Sequence, residues 1–160
     1  MMKILLKYIC RKKGATLLKN KAHLSILSNS SNIGLSRIAV ATFASELDFT
    51  LSELEEIKVA ISEAVTNSII HGYPDKFGDI DIDMKINENV LEVSVADYGV
   101  GIKDVDEVLK PSYSTLDGHM GLGLAFIDSF MDDFELDSEL EKGTVIIMRK
   151  SPEQLKNAVE

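Results

Sequence analysis

The chain has 160 residues, 45% of them hydrophobic, and a formal net charge of −9; that is material for one domain around a single core. Its one cysteine, Cys10, excludes an intramolecular disulfide framework, and the three histidines, His23, His71 and His119, stand too far apart in sequence to indicate a metal centre. No apolar run reaches the ~18 residues of a membrane span, so a compact intracellular, cytoplasmic module is expected.

Charge is unevenly placed along the chain. Eight basic residues, Lys3, Lys7, Arg11, Lys12, Lys13, Lys19, Lys21 and Arg37, precede the first acidic one, Glu46, which leaves nine basic residues against 26 acidic ones in the remainder. An acidic body of this kind repels nucleic acid, and no direct binding to it is expected. Residues 1–20 read as a basic, flexible extension, with an acidic partner or a membrane surface as the other readings. Lys7 interrupts the extension's only apolar run, Ile4 to Ile9, and no cleavage site is evident. Residues 21–150 read as the functional domain and 151–160 as a tail.

Within the domain, a strand is predicted near His23 to Leu27 and a first helix from about Ile33 to Leu47. A second helix is expected from about Leu51 to Ile70, opened by a capping box in which Glu55 follows Ser52 by three residues. At roughly 100° per residue, Ile57, Ile61, Ala64, Val65 and Ser68 gather on one face, whereas Glu63 and Asn67 fall opposite. Val59, Ala60 and Ile70 flank that polar pair, so the helix is apolar on two sides and the pair lines a cavity. A surface stripe is the plainer reading of Glu63 and Asn67 taken alone. A carboxylate and a carboxamide four residues apart on a helix can also serve Mg-nucleotide chemistry.

After the turn Tyr73-Pro74-Asp75, Ile80, Ile82, Met84 and Ile86 alternate with Asp79, Asp81, Asp83 and Lys85, which marks a strand with one wet face. The tight connection Asn87-Glu88-Asn89 leads to a strand from Val90 to Asp97. In it Leu91, Val93, Val95 and Asp97 share a face by the period of two. The Asp97 carboxylate therefore points inward, and Gly99 and Gly101 after it let backbone approach a ligand closely. Such an aspartate can accept a hydrogen bond from an amino group such as adenine N6; an ordinary Asp-Gly turn is the alternative.

The stretch from Lys103 to Met120, with Pro111, Ser112, Ser114, Thr115 and Gly118, is rich in polar and turn residues. Gly118-His119-Met120-Gly121-Leu122-Gly123 then opens a helix from Leu124 to Met131, where exposed N–H groups and the helix dipole suit phosphate. The loop is neither a Walker A loop nor a Rossmann fingerprint. Two strands, near Phe134 to Ser138 and Thr144 to Arg149, close the domain. An antiparallel or mixed sheet with helices on one face, a two-layer α+β sandwich, buries all these stripes.

Each motif is weak alone, but their order and spacing resemble the GHKL ATPase superfamily. Glu63-x-x-x-Asn67 is similar to its N box, Asp97-x-Gly99-x-Gly101 to its G1 box and Gly121-x-Gly123 to its G2 box. The wording from Ser62 to Tyr73 and of Phe130-Met131-Asp132-Asp133 resembles the small anti-sigma serine kinases, those of the anti-sigma-F family most of all. The likeness covers about Lys21 to Lys150.

The resemblance implies the Bergerat-type ATP-binding fold with ATP and Mg²⁺ as cofactors. It implies Glu63 as general base, Asn67 as the Mg²⁺ ligand and Asp97 as the adenine contact. Thr144 would support that contact through water, and Gly99, Gly101, Gly121, Gly123 and Thr115 would line the nucleotide. It also implies a homodimer that binds a sporulation sigma factor of the sigma-F type and phosphorylates a STAS-domain anti-anti-sigma protein on serine, with Arg37 facing these partners. The turn-rich stretch becomes an ATP lid. The chain departs from the family there: the lid is slightly short, and Asp117, Gly118 and His119 stand where an arginine is expected. A general-stress anti-sigma kinase and a nonenzymatic ATP-dependent binding module remain the alternatives. A histidine kinase fits less well, because no helical phosphoacceptor segment precedes the domain.

Overall fold

A computed structural model describes residues 18–109 and 123–156. Strand β1 (Leu18–Leu27) is followed by helices α1 (Asn32–Ala44) and α2 (Leu51–Asn67), and α2 runs straight into a π-helical turn, Ser68–Gly72. Strands β2 (Asp79–Asn87) and β3 (Val90–Asp97), the short helix α3 (Val105–Val108) and helix α4 (Gly123–Phe130) come next. The described chain ends with β4 (Asp133–Glu139), β5 (Gly143–Lys150) and the short α5 (Glu153–Lys156). The five strands form one sheet in the order β1-β2-β3-β5-β4, and every neighbouring pair is antiparallel. This is the α+β arrangement expected, with the sheet wholly antiparallel rather than mixed.

Alternation in the sequence decides which side of the sheet is dry. Ile80, Ile82, Met84 and Ile86 of β2, with Leu91, Val93 and Val95 of β3, point into one core together with Ile57, Ile61 and Val65 of α2 and Ile127 of α4. Each such aliphatic side chain contributes ~1.5–3 kcal/mol relative to exposure. The main core thus lies between the sheet and the layer of α1, α2 and α4. Asn87 pairs with Val90 across the β2–β3 turn, and Glu88 there takes φ 55°, as a tight hairpin with a left-handed residue requires.

Several element ends differ from expectation. The cap of α2 is Thr50, not Ser52: Thr50 is extended (φ −67°, ψ 163°), its hydroxyl accepts from Glu53 N, and the Glu53 carboxylate reaches back to Thr50 N. Glu55 instead pairs with Lys58 at 2.7 Å. Helix α2 stops at Asn67 because the next turn widens to π geometry rather than continuing to Ile70. The first helix ends at Ala44, and Ser45 and Leu47 close it with turn bonds to Ala41 O and Ala44 O. Strand β1 begins at Leu18, inside the expected extension 1–20, since Leu18 and, after a register shift at Lys19, Asn20 through Leu27 find partners along the whole of β2.

One buried cation fastens the rear of the helical layer. Lys150, 6% exposed, donates to Phe130 O at the end of α4 (2.6 Å) and pairs with Glu56 of α2 (3.0 Å). Beside it Glu53 accepts from Glu153 N at 2.8 Å. Burial would raise the Glu53 pKa, but the N–H groups of Thr50 and Glu153 and the Thr50 hydroxyl outweigh it and hold the carboxyl below its ordinary range. The start of the expected tail is therefore bonded to α2.

Candidate functional site

The C-terminal half of α2 lies against the start of α4. A Cβ added to Gly123 would stand 2.9 Å from Glu63 Oε2, 3.5 Å from Asn67 Nδ2 and 3.6 Å from Asn67 Oδ1. The two polar side chains of the N-box pattern thus lie against the first described residue of α4, and a helix start favours an anion. Both are half-buried. Neither has a hydrogen bond or ion pair among the described residues, so both are available to a ligand.

Beside Ser68, the residue after Asn67, Asp97 is 4% exposed. Its Oδ1 accepts from Gly99 N at 3.1 Å, and the Ser68 hydroxyl and the Thr144 backbone also bond the carboxylate. Burial is the largest influence and raises its pKa above the usual aspartate range, against the pull of those three donors. The π turn matters here, because it brings Ser68 and Gly72 to the carboxylate. A Cβ on Gly72 would meet Asp97 Cγ at 2.8 Å.

Glycine is required where the G1 turn crosses that π turn. A Cβ on Gly99 would fall 1.9 Å from Gly72 O, the same oxygen that accepts from Val100 N at 3.0 Å. Gly101 takes φ 69°, and Val100 O accepts from Glu141 N at 2.7 Å. On the β4–β5 side Ser138 Oγ accepts from Ile102 N (2.8 Å) and lies 2.9 Å from Thr144 Oγ1. Thr144 is the ladder partner of Asp97, so the loop, the aspartate and the threonine form one bonded unit.

Tyr73 braces it from behind. Its buried hydroxyl donates to Asp79 O (2.6 Å) and accepts from Tyr98 N (2.8 Å), and burial raises its pKa so that it keeps its proton. The sequence reading puts Tyr73 in a turn and at the end of the family-like stretch from Ser62, and gives no site role to Tyr73, Ser68, Gly72 or Ser138. Ser68 to Ile70 read as the last turn of a plain helix, and nothing in the residues from Ser68 to Gly72 signals the wider turn.

Arg37 lies on α1, exposed beside Leu35 and Ile38, which are 52% and 59% exposed; it is remote in sequence from the cleft residues. Thr115, Gly121 and most of the expected lid, including Asp117, Gly118 and His119, lie outside the described residues. Among the described residues no histidine, cysteine or carboxylate cluster could hold a metal ion, and no helix is long and apolar enough to cross a membrane.

This architecture is shared with the histidine kinase domain of the blue-light activated histidine kinase of Erythrobacter litoralis EL346, with a TM-score of 0.52 at 16% identity over 80% of this chain and 63% of that one. Residues 28–150 match the model of the histidine kinase-like ATPase domain. An anti-sigma F factor of Clostridium acetobutylicum is 43% identical over 84% of this chain and 95% of its own. One of Oceanobacillus iheyensis is 43% identical over 83% and 93%. The chain therefore belongs to the histidine kinase-like ATPase family and, within it, to the family of the anti-sigma F factors.

Proposed function

We propose that the protein is a homodimeric anti-sigma factor and serine-protein kinase of the cytoplasm. It holds a sigma factor of the sigma-F type inactive, and it uses Mg-ATP to phosphorylate a STAS-domain anti-anti-sigma protein on serine. The observation that carries this reading is a pair of juxtapositions: Glu63 and Asn67 lie against Gly123 of α4, and the buried carboxylate of Asp97 is bonded to Ser68, the residue after Asn67. In this reading Asp97 accepts from the adenine amino group, with Thr144 beside it, and the backbone of Gly99, Gly101, Gly121 and Gly123 and the Thr115 side chain line the nucleotide.

The residues fit a magnesium nucleotide. The Asn67 carboxamide offers the oxygen donor that Mg²⁺ favours, and the missing side chain at Gly123 leaves a space next to it that a Cβ would fill. When bound, the ion neutralises charge on the phosphates. Glu63 takes the proton of the attacking serine hydroxyl, as a carboxylate with no competing partner among the described residues can. The N-terminal N–H groups of α4 hold phosphate oxygens in line. Arg37 and its exposed apolar neighbours on α1 meet the protein partners.

The test is incubation with γ-labelled ATP, Mg²⁺ and a STAS-domain protein, followed by identification of the labelled residue. Label on serine is the expected result. Intact nucleotide binding with no transfer would leave a binding module without kinase activity, and retention of a stress-response sigma factor in place of a sporulation one would move the protein to the general-stress type.

A further inference from the structure

The G1 pattern gives work to Asp97, Gly99 and Gly101 and leaves Tyr98 between them without a role. Strand β3 ends at Asp97, whose ladder partners are Ile80 on one side and Thr144 on the other. Beyond Asp97 the ladder stops, yet Tyr98 is held through both its N–H and its hydroxyl. The N–H donates to the Tyr73 hydroxyl at 2.8 Å, which donates in turn to Asp79 O at 2.6 Å. The Tyr98 hydroxyl crosses to the face of the sheet turned away from the main core and donates to the Asp81 carboxylate of β2. Asp81 lies on that face because its neighbours Ile80 and Ile82 point into the core, and its other oxygen has His23 Nε2 of β1 3.7 Å away. Burial, the bond to Asp81 and the charges of Asp81 and Asp83 raise the Tyr98 pKa, so the hydroxyl keeps the proton it donates.

This grip acts on a peptide that the aspartate depends on. The N–H that follows Tyr98 belongs to buried Gly99 and donates to Asp97 Oδ1 at 3.1 Å. Where it points is set by the Tyr98 backbone dihedrals, because the peptide plane between the two residues has no soft torsion of its own. Of the three donors to the Asp97 carboxylate, Ser68 stands on the π turn and Thr144 on the β5 ladder; the Gly99 donor is the one carried by a loop. Tyr73 steadies that loop from the core side and Asp81, through the Tyr98 ring, from the outer face.

We propose that Tyr98 is a positioning residue for base recognition: bonded to Asp81, its hydroxyl keeps the Gly99 N–H on Asp97 and so aims the carboxylate at the amino group of the adenine. Asp81, on the far face of β2, thereby bears on which base is selected. The claim rests on the proposed contact of Asp97 with adenine.

Calorimetry with ATP and with purine riboside triphosphate, which has no amino group on its base, tests it, together with hydrogen exchange of the nucleotide-free protein. Tyr98→Phe is expected to weaken ATP binding about three- to tenfold, the size of one hydrogen bond, and to leave the amino-free nucleotide unaffected. Its Gly99 amide is expected to exchange faster while Val93 and Val95 within β3 keep their protection. Asp81→Ala should match Tyr98→Phe, the double variant should be no weaker than either, and Asp81→Asn, whose amide oxygen still accepts from the hydroxyl, should stay within about twofold of wild type. Equal losses for the two nucleotides mean a general loosening of the domain and overturn the proposal. Unaltered ATP affinity in Tyr98→Phe, or Asp81→Ala without effect, overturns it as well. Asp97→Asn is the control for the base contact. If it fails to separate the two nucleotides while Gly99 exchange rises in Tyr98→Phe, the base reading falls and the hold of Tyr98 on Asp97 stands; if Gly99 exchange is also unchanged, both fall.

Discussion

The surroundings of Asp97 and those of Glu63 and Asn67 are built on opposite plans. Around Asp97 every polar group is already engaged: Gly99, Ser68 and Thr144 hold the carboxylate, Tyr73 holds Tyr98, and Ser138 holds the G1 loop. Around Glu63 and Asn67 neither side chain has a partner among the described residues. On the proposed function, the Asp97 side recognises the base and gains from being organised in advance, because a rigid acceptor spends no ordering entropy on binding. On the same proposal the Glu63 side handles phosphate and must exchange a proton in each turnover, so its groups gain from being unclaimed.

Breaking the unclaimed end gives the largest expected effect. Glu63→Gln should keep the fold and ATP affinity while phosphotransfer falls ~10²–10⁴-fold, since the amide preserves size and cannot take a proton. Single-turnover transfer of labelled phosphate measures it, and a normal rate would remove Glu63 as the base. At the organised end Gly99→Ala forces a Cβ onto the Gly72 carbonyl, 1.9 Å away in the present geometry. Neither backbone can yield cheaply, so a loss of ~3 kcal/mol or more in stability is expected by denaturant melting.

Asp97→Asn probes the same end more gently. ATP affinity should drop by ~1.5–3 kcal/mol, because the amide turns its own N–H₂ toward the adenine amino group and a charge-assisted acceptor is lost; calorimetry with ATP and GTP reads it. Acidity sharpens the contrast. Burial raises the Asp97 pKa above 3.8, so the folded state holds this proton more tightly than the unfolded one. The associated stability is complete below 3.8 and disappears as pH rises through the raised value. Wild type should therefore be no more stable than Asp97→Asn at neutral pH and should gain on it in acid, while its ATP affinity falls over the same descent.

Two changes outside the cleft should leave both ends alone. Arg37→Glu is expected to weaken binding of the sigma factor in a pull-down with ATP affinity unchanged; unaltered sigma binding would reject the contact. Thr50→Ala should cost ~1 kcal/mol through the lost cap, whereas Ser52→Ala should stay within about 0.5 kcal/mol, as thermal melts of the pair will show.

That last pair marks where sequence reading runs out. Thr50-x-x-Glu53 and Ser52-x-x-Glu55 satisfy the same pattern, and what separates them is tertiary: Glu53 also accepts from Glu153, 100 residues on. Strand β3 was legible from Val90 to Asp97 because its alternation is unbroken. The inward aim of Asp97 followed from the same period. The first residues of β1 were not, since Leu18 to Lys21 show no alternation and pair only because β2 is long enough to receive them. The pairing of Glu63 with Asn67 could be read from helical spacing, but their apposition to Gly123 required the fold. The π turn left no trace in residue type, and with it Ser68 and Gly72 escaped notice.

The rear lysine gives this layer a fulcrum. Lys150 pins Glu56 on α2 and the last carbonyl of α4 to the same point of β5, while Glu63 and Asn67 stand two to three turns farther along α2, roughly 10–16 Å away at the helical rise. That clamp holds the two helices together at the end away from the junction of Gly123 with Glu63.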